Sequence, residues 1–230
     1  KITMLTAYDF AMASLLDAAQ IDGILVGDSL ATVVQGHANT LPVTLDEMIY
    51  HAKMVGRAVR HALVVVDMPF LSYQVGPRRA IANAGRVLKE TSCQAVKLEG
   101  GADQAEVIAG LVSAGIPVMA HFGLQPQSIH QLGGYRVQRD RDRLLADAQA
   151  VEKAGAFSVV LECIPAEIAS EITSALRIPT IGIGAGAGCD GQILVINDLL
   201  GLTAGRLPRH AKAYADLKTA VLEAVARYCD

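Results

Sequence analysis

Leu63-Val-Val-Val-Asp-Met-Pro69 sets three β-branched residues behind a leucine, then a carboxylate and a proline. An apolar run this short and continuous reads as a strand covered on both faces, the pattern of a parallel sheet. The same pattern recurs in GILVGDS (Gly23–Ser29), AVKLEGG (Ala95–Gly101) and SVVLECIP (Ser158–Pro165). Asp28, Asp67, Glu99 and Glu162 therefore lie at the ends of buried strands, with Lys97 two residues before Glu99. An ionised carboxylate at such a position is costly to bury unless something pairs with it. A single Asp after a strand can simply cap the turn that follows. Four acidic strand ends point instead to a rim of oxygen ligands built for a hard cation and a polar substrate.

Outward from these runs, β-type and helical segments alternate along the whole chain. Strands are expected at Ile2–Ala7, Gly23–Gly27, Leu63–Asp67, Ala95–Glu99, Pro117–His121, Ser158–Glu162, Thr180–Gly184 and Gln192–Asn197. Helical periodicity covers Phe10–Ala19, Leu45–Val59, Pro77–Thr91, Ala102–Ala114, Arg143–Ala154 and Pro165–Leu176. Thr44 and Glu47 form a capping-box pair at one helix start. Eight strands joined by α-type crossovers, with no Pro/Ser-rich linker, predict an α/β fold, a single-domain (β/α)8 TIM barrel over residues 1–230. A closing helix is expected over residues 210–228. A doubly wound open sheet is the competing arrangement.

Because side chains alternate along a strand, Lys97 and Glu99 face one way and Leu98 the other. In a barrel, all the charged strand ends then meet at the C-terminal mouth, where active sites are built. Asp28, Asp67 and Glu99 crowded together would raise one another's pKa unless a cation were present, and Mg²⁺ suits such a carboxylate set. Lys97 either neutralises a neighbouring carboxylate or binds the oxygens of a small acid. Glu162 is a candidate general base. Cys163 should point to the opposite face, as a buried thiol. His121, ending VMAH, suits substrate orientation, proton shuttling or a structural role at a strand end. The glycine-rich run GIGAGAGCDG (Gly182–Gly191) lies too late in the chain for a dinucleotide-binding unit and reads as a tight loop at the mouth.

Composition narrows the function further. The 230 residues are 52% apolar with a formal charge of −3, which argues against a nucleic-acid or anionic-membrane surface. Cys93, Cys163, Cys189 and Cys229 lack CxxC spacing, so neither a disulfide framework nor a zinc site is expected, and free thiols fit a cytoplasmic setting. No apolar run is long enough to span a membrane. The chain opens on Lys1 rather than Met, so the natural N-terminus is expected upstream.

The motifs together resemble the ketopantoate hydroxymethyltransferase family. The matching segments include TAYD (Thr6–Asp9), LVGDSL (Leu25–Leu30), VQGH (Val34–His37), TLPVT (Thr40–Thr44), DMPF (Asp67–Phe70), VKLEGG (Val96–Gly101), HFGLQPQS (His121–Ser128), GGYRVQ (Gly133–Gln138), LECIP (Leu161–Pro165) and IGIGAGAGCDGQILV (Ile181–Val195). They run in order over nearly the whole chain. The resemblance implies a barrel related to the phosphoenolpyruvate mutase and isocitrate lyase group. It also implies hydroxymethyl transfer from 5,10-methylenetetrahydrofolate, a co-substrate, to 3-methyl-2-oxobutanoate on the route to pantothenate. Carried over by position, Asp28 and Asp67 bind Mg²⁺, with Glu99 completing the site directly or through water. Asp28, Ser29, Asp67 and Lys97 contact the keto acid, and Glu162 is the proton acceptor. Family members are cytoplasmic homo-oligomers, usually decamers. One departure is RDRDR between Gln138 and Leu144, shorter than the family's usual stretch.

Overall fold

The computed structural model describes residues 1–134 and 136–230, with Leu132 described by its backbone alone; Tyr135 of the GGYRVQ segment lies outside the described residues. Eight parallel strands close into a barrel in sequence order, so the open-sheet alternative is set aside. They are β1 (Ile2–Thr6), β2 (Gly23–Val26), β3 (Leu63–Asp67), β4 (Ala95–Glu99), β5 (Val118–Gly123), β6 (Ser158–Glu162), β7 (Thr180–Ile183) and β8 (Gly191–Leu194). The intervening helices are α1 (Phe10–Ala18), α2 (Leu30–Val33), α3 (Leu45–Ala58), α4 (Pro77–Glu90), α5 (Ala105–Ser113), α6 (Ile129–Leu132), α7 (Arg141–Lys153), α8 (Ala166–Ala175) and α9 (Ile196–Leu199). A last helix, α10 (Leu217–Cys229), has no buried residue.

Local chemistry accounts for many of the boundaries. Asp9 caps α1 by accepting from the Met12 N–H, and the Thr44–Glu47 capping box opens α3. Asp140 caps α7 through the Arg143 N–H. The expected last strand, Gln192–Asn197, ends at Leu194 instead. The Ile196 N–H turns to Thr6 Oγ1 at 3.0 Å rather than continuing the ladder, and α9 starts there. The helix expected from Ala102 begins as a 3₁₀ turn over Ala102–Gln104 before α5.

Strand alternation divides the core into two bodies. Outward residues such as Ile24, Val66, Leu98, Ala120 and Leu161 pack under the helices, meeting the buried stripes of α3 (Met48, Ile49, Ala52, Val55) and α7 (Leu144, Ala148, Val151). Each such Ile, Leu or Val contributes roughly 1.5–3 kcal/mol by leaving water. The barrel interior is a separate cluster with one residue from each strand: Met4, Leu25, Val65, Ala95, Met119, Val160, Ile181 and Ile193. Two residues further along the strands, this apolar layer gives way to Thr6, Gly27, Asp67, Lys97, His121, Glu162, Ile183 and Val195. The parity that sends Val65 inward therefore delivers Asp67 to the layer above it.

Candidate active site

All seven residues singled out from the sequence, Asp28, Ser29, Asp67, Lys97, Glu99, His121 and Glu162, line one cavity of about 120 Å³ at the barrel mouth. Strand register brings them together. Asp67 is paired with Lys97 across β3 and β4, and Glu99 with His121 across β4 and β5. Lys97 Nζ donates to Asp67 Oδ1 at 2.5 Å, and the pair is buried. The other Asp67 oxygen accepts from the Asp28 N–H at 3.1 Å. Gly27 leaves room for the neighbouring hydroxyl, since a Cβ there would lie 2.8 Å from Ser29 Oγ.

The ring is heavily charged and mostly buried. Four carboxyl groups, Asp28, Asp67, Glu99 and Glu162, face a single buried ammonium among the described residues. Burial and the Asp67 charge push Asp28 up to about 7. Burial, then the charge of Asp28, raises Glu99 well above the usual carboxylate range. Burial alone would depress Lys97, but Asp67, Glu99 and Asp28 outweigh it and hold the ammonium charged. His121 is pushed down by burial and by Lys97, which favours the neutral imidazole. Its Nε2 lies 3.1 Å from Glu162 Oε2 and its Nδ1 3.8 Å from Glu99 Oε1. Neither contact is aligned as a hydrogen bond, so both ring nitrogens lack a directed partner among the described residues.

Several contributors carried no strand-end signal. Gln127 follows β5 and reaches across the mouth: its Nε2 donates to Asp28 Oδ2 at 2.9 Å and Met68 O at 3.0 Å. Its backbone N–H donates to Glu99 Oε2 at 3.0 Å. Tyr73 OH accepts from the Glu99 N–H at 3.1 Å and lies 2.8 Å from Gln127 Oε1. Tyr8 OH meets Ser29 Oγ at 2.9 Å, and the buried Thr40 hydroxyl at the cavity wall, near Asp28, has no well-aligned hydrogen-bond partner among the described residues. Gln127 and Thr40 belong to quoted motifs but lie in a three-residue 3₁₀ turn (Pro126–Ser128) and a bend, where no periodicity marks a side chain as inward. Cys163 departs from expectation. Its φ of 49° breaks the strand alternation, so the thiol is half-buried at the mouth rather than packed on the outer face. Burial and Glu162 raise it to about 11, so it stays protonated and is no nucleophile near neutral pH.

Among the described residues, no three carboxylate, imidazole or thiol side chains converge as a ready metal cage. Asp28 and Asp67 do adjoin, and Glu99 stands behind them, held by Gln127. Two carboxylates completed by water and substrate oxygens are a usual way to hold Mg²⁺, and the carboxylate excess favours such a cation.

Comparison with known proteins bears on the fold and the family. The structural neighbours include phosphonopyruvate hydrolase, solved with oxalate and Mg²⁺, at a TM-score of 0.66 and 12% identity, covering 98% of this chain and 80% of that one. Another is 2,3-dimethylmalate lyase, of the PEP mutase/isocitrate lyase superfamily, at a TM-score of 0.64 and 19% identity, with coverage of 98% and 80%. At these identities they share the fold alone. The 3-methyl-2-oxobutanoate hydroxymethyltransferase of Rhodopirellula baltica is 59% identical over 230 residues, spanning the whole chain and 86% of that relative. The enzyme of the same name from Desulforapulum autotrophicum is 60% identical, with coverage of 100% and 88%. The model of one family, ketopantoate hydroxymethyltransferase, matches residues 1–230. With the barrel, the charged ring and this full-length match together, the chain belongs to the ketopantoate hydroxymethyltransferase family.

Proposed function

We propose that the chain transfers a hydroxymethyl group from 5,10-methylenetetrahydrofolate to 3-methyl-2-oxobutanoate, giving 2-dehydropantoate through an enolate of the oxo acid. The observation that carries this reading is the placement of Glu162, His121 and the Lys97–Asp67 pair around one 120 Å³ cavity, a size suited to a small acid.

Asp28 and Asp67 hold Mg²⁺ in this reading, with Glu99 completing the site through water. A bound Mg²⁺ there supplies Lewis-acid polarisation of the 2-oxo acid, which makes its C3–H more acidic. Lys97 is fixed by Asp67 and kept charged, so it offers a buried cation to the substrate carboxylate. Ser29, with Tyr8 behind its hydroxyl, and Asp28 contact the same acid. Glu162 takes the C3 proton, and His121, neutral and within 3.1 Å, steadies or relays it. The enolate carbon then attacks the one-carbon unit of the folate. On the family resemblance, the reading extends to a cytoplasmic homo-oligomer, decameric as its relatives are expected to be.

Exchange of the C3 proton of 3-methyl-2-oxobutanoate in D₂O, followed by NMR, tests the central step without folate. Wild-type protein should exchange it in the presence of Mg²⁺, and Glu162→Gln should bind the acid yet fail to exchange. Unimpaired exchange in Glu162→Gln would remove Glu162 from the role.

A further inference from the structure

Beside the small cavity lies a second one of about 670 Å³, and the two share Ser29, Thr40, Pro126, Glu162, Ile183 and Val195 in their walls. The larger space is far more than a five-carbon acid needs and lies within the range of sites for drug-sized ligands. Its inner wall is apolar, with Leu124, Val137, Ile183 and Val195. Its rim is basic, with Arg136 between α6 and α7 and Arg206 and Arg209 in the segment after α9. None of these three arginines pairs with a carboxylate among the described residues, so all three guanidinium groups are available at the rim. The segment carrying Arg206 and Arg209 is set against the mouth: His210 Nδ1 lies 3.7 Å from Cys163 Sγ, next to Glu162.

We infer that this second cavity holds the folate one-carbon donor, and that Arg206 and Arg209, with Arg136, bind the carboxylates of its glutamate tail. The inference rests on the proposed function above for the identity of the donor. The layout follows the chemistry that the donor presents. Its flat ring system needs an apolar wall reaching Glu162, where the reactive methylene must meet the oxo acid. Its tail carries carboxylates that need forked, permanently charged donors, and guanidinium groups match carboxylates two bonds at a time. The arginines stand exposed at the rim, so the tail lies towards solvent and each added γ-glutamate brings another carboxylate within their reach.

Steady-state kinetics of the Arg206→Gln/Arg209→Gln double variant test the assignment, using mono- and triglutamate forms of 5,10-methylenetetrahydrofolate. The KM for the donor should rise roughly 10- to 100-fold, as for loss of one or two charge-assisted hydrogen bonds. The KM for the oxo acid should hold within about twofold on the same reasoning. Wild type should favour the triglutamate, lose that preference as salt rises, and show none in the variant. Arg136→Gln, made separately, should give a smaller shift of the same kind and guards against a folding defect in the double variant. Equal KM values for both donors in wild type and variant, or a matched rise for donor and oxo acid, would overturn the arginine assignment. Wild type that exchanges the C3 proton yet never turns over with either folate would overturn the donor itself, and the inference with it.

Discussion

Replacing Gln127 by leucine removes a carboxamide that touches four groups while nearly preserving its volume. The lost contacts are donations to Asp28 Oδ2 at 2.9 Å and Met68 O at 3.0 Å, and acceptance from Gln74 Nε2 at 3.1 Å. Tyr73 OH, 2.8 Å from Gln127 Oε1, keeps an alternative acceptor in Glu99 O at 3.0 Å and so loses least. A bond to a charged acceptor contributes roughly 1.5–3 kcal/mol and a neutral one about 0.5–1.5 kcal/mol. The added apolar burial returns part of that sum, so the net destabilisation should be about 2–4 kcal/mol. For a chain of this length, the thermal midpoint should fall by roughly 5–15 °C. The carboxamide also aims Asp28, a proposed Mg²⁺ ligand, whereas the backbone N–H that holds Glu99 survives the substitution; losing a group that orients a metal ligand typically costs about 10- to 100-fold in metal affinity. Calorimetric titration of Mg²⁺ into wild type and Gln127→Leu measures that loss. A midpoint within about 1 °C of wild type, together with unchanged Mg²⁺ affinity, would show that the network organises nothing.

Two further substitutions probe how the frame is held. Asp17 at the end of α1 accepts from the N–H groups of Arg60, His61 and Ala62, each at 3.0 Å, and its carboxyl is lowered chiefly by the Ala62 amide. Asp17→Asn should turn an amide donor towards one of these donors and cost about 1–3 kcal/mol in chemical denaturation. Because the folded-state pKa is depressed, the wild-type advantage is fully present above the unfolded value of about 3.9 and is lost as pH falls through the folded value. The gap between the two proteins should therefore be constant near neutrality and close in acid; a gap that widens in acid would contradict the assignment. Gly123→Ala sets a side chain at φ +100° with its Cβ 2.3 Å from Glu162 O. It should destabilise by roughly 2–4 kcal/mol and, by displacing Glu162, lower the rate of C3-proton exchange more than the affinity for the oxo acid. A stable, fully active variant would show that the β5–β6 contact does not set the base.

What could be read before the structure follows from where information is local. Leu63–Asp67, Ala95–Glu99 and Ser158–Glu162 were delimited to the residue because apolar continuity and a terminal acid mark both ends. The convergence of Asp67, Lys97, His121 and Glu162 was legible too, since period-two alternation and barrel closure fix it without knowledge of contacts. The last strand was misplaced because its end depends on Thr6, a residue 190 positions away from Ile196. Gln127 escaped notice for the same reason: it meets Asp28 across 99 residues of chain, and nothing in its own neighbourhood marks it as inward. Cys163 misled because a single left-handed φ ends the alternation that the rest of its strand obeys.

The layer of the barrel above Met4, Leu25, Val65 and their five partners has a cost for the empty protein. A second apolar layer there would have added to the core; instead the fold carries several acids and one ammonium in a place water scarcely reaches. That interior is electrostatically frustrated when nothing is bound, as the raised Asp28 and Glu99 carboxyls reflect. Any ligand that brings positive charge relieves this frustration in the folded state alone, and so raises the melting temperature in proportion to the logarithm of its concentration. Stability forgone in the folded chain reappears as affinity, and heat tolerance in this barrel is thus a reading of how full its mouth is.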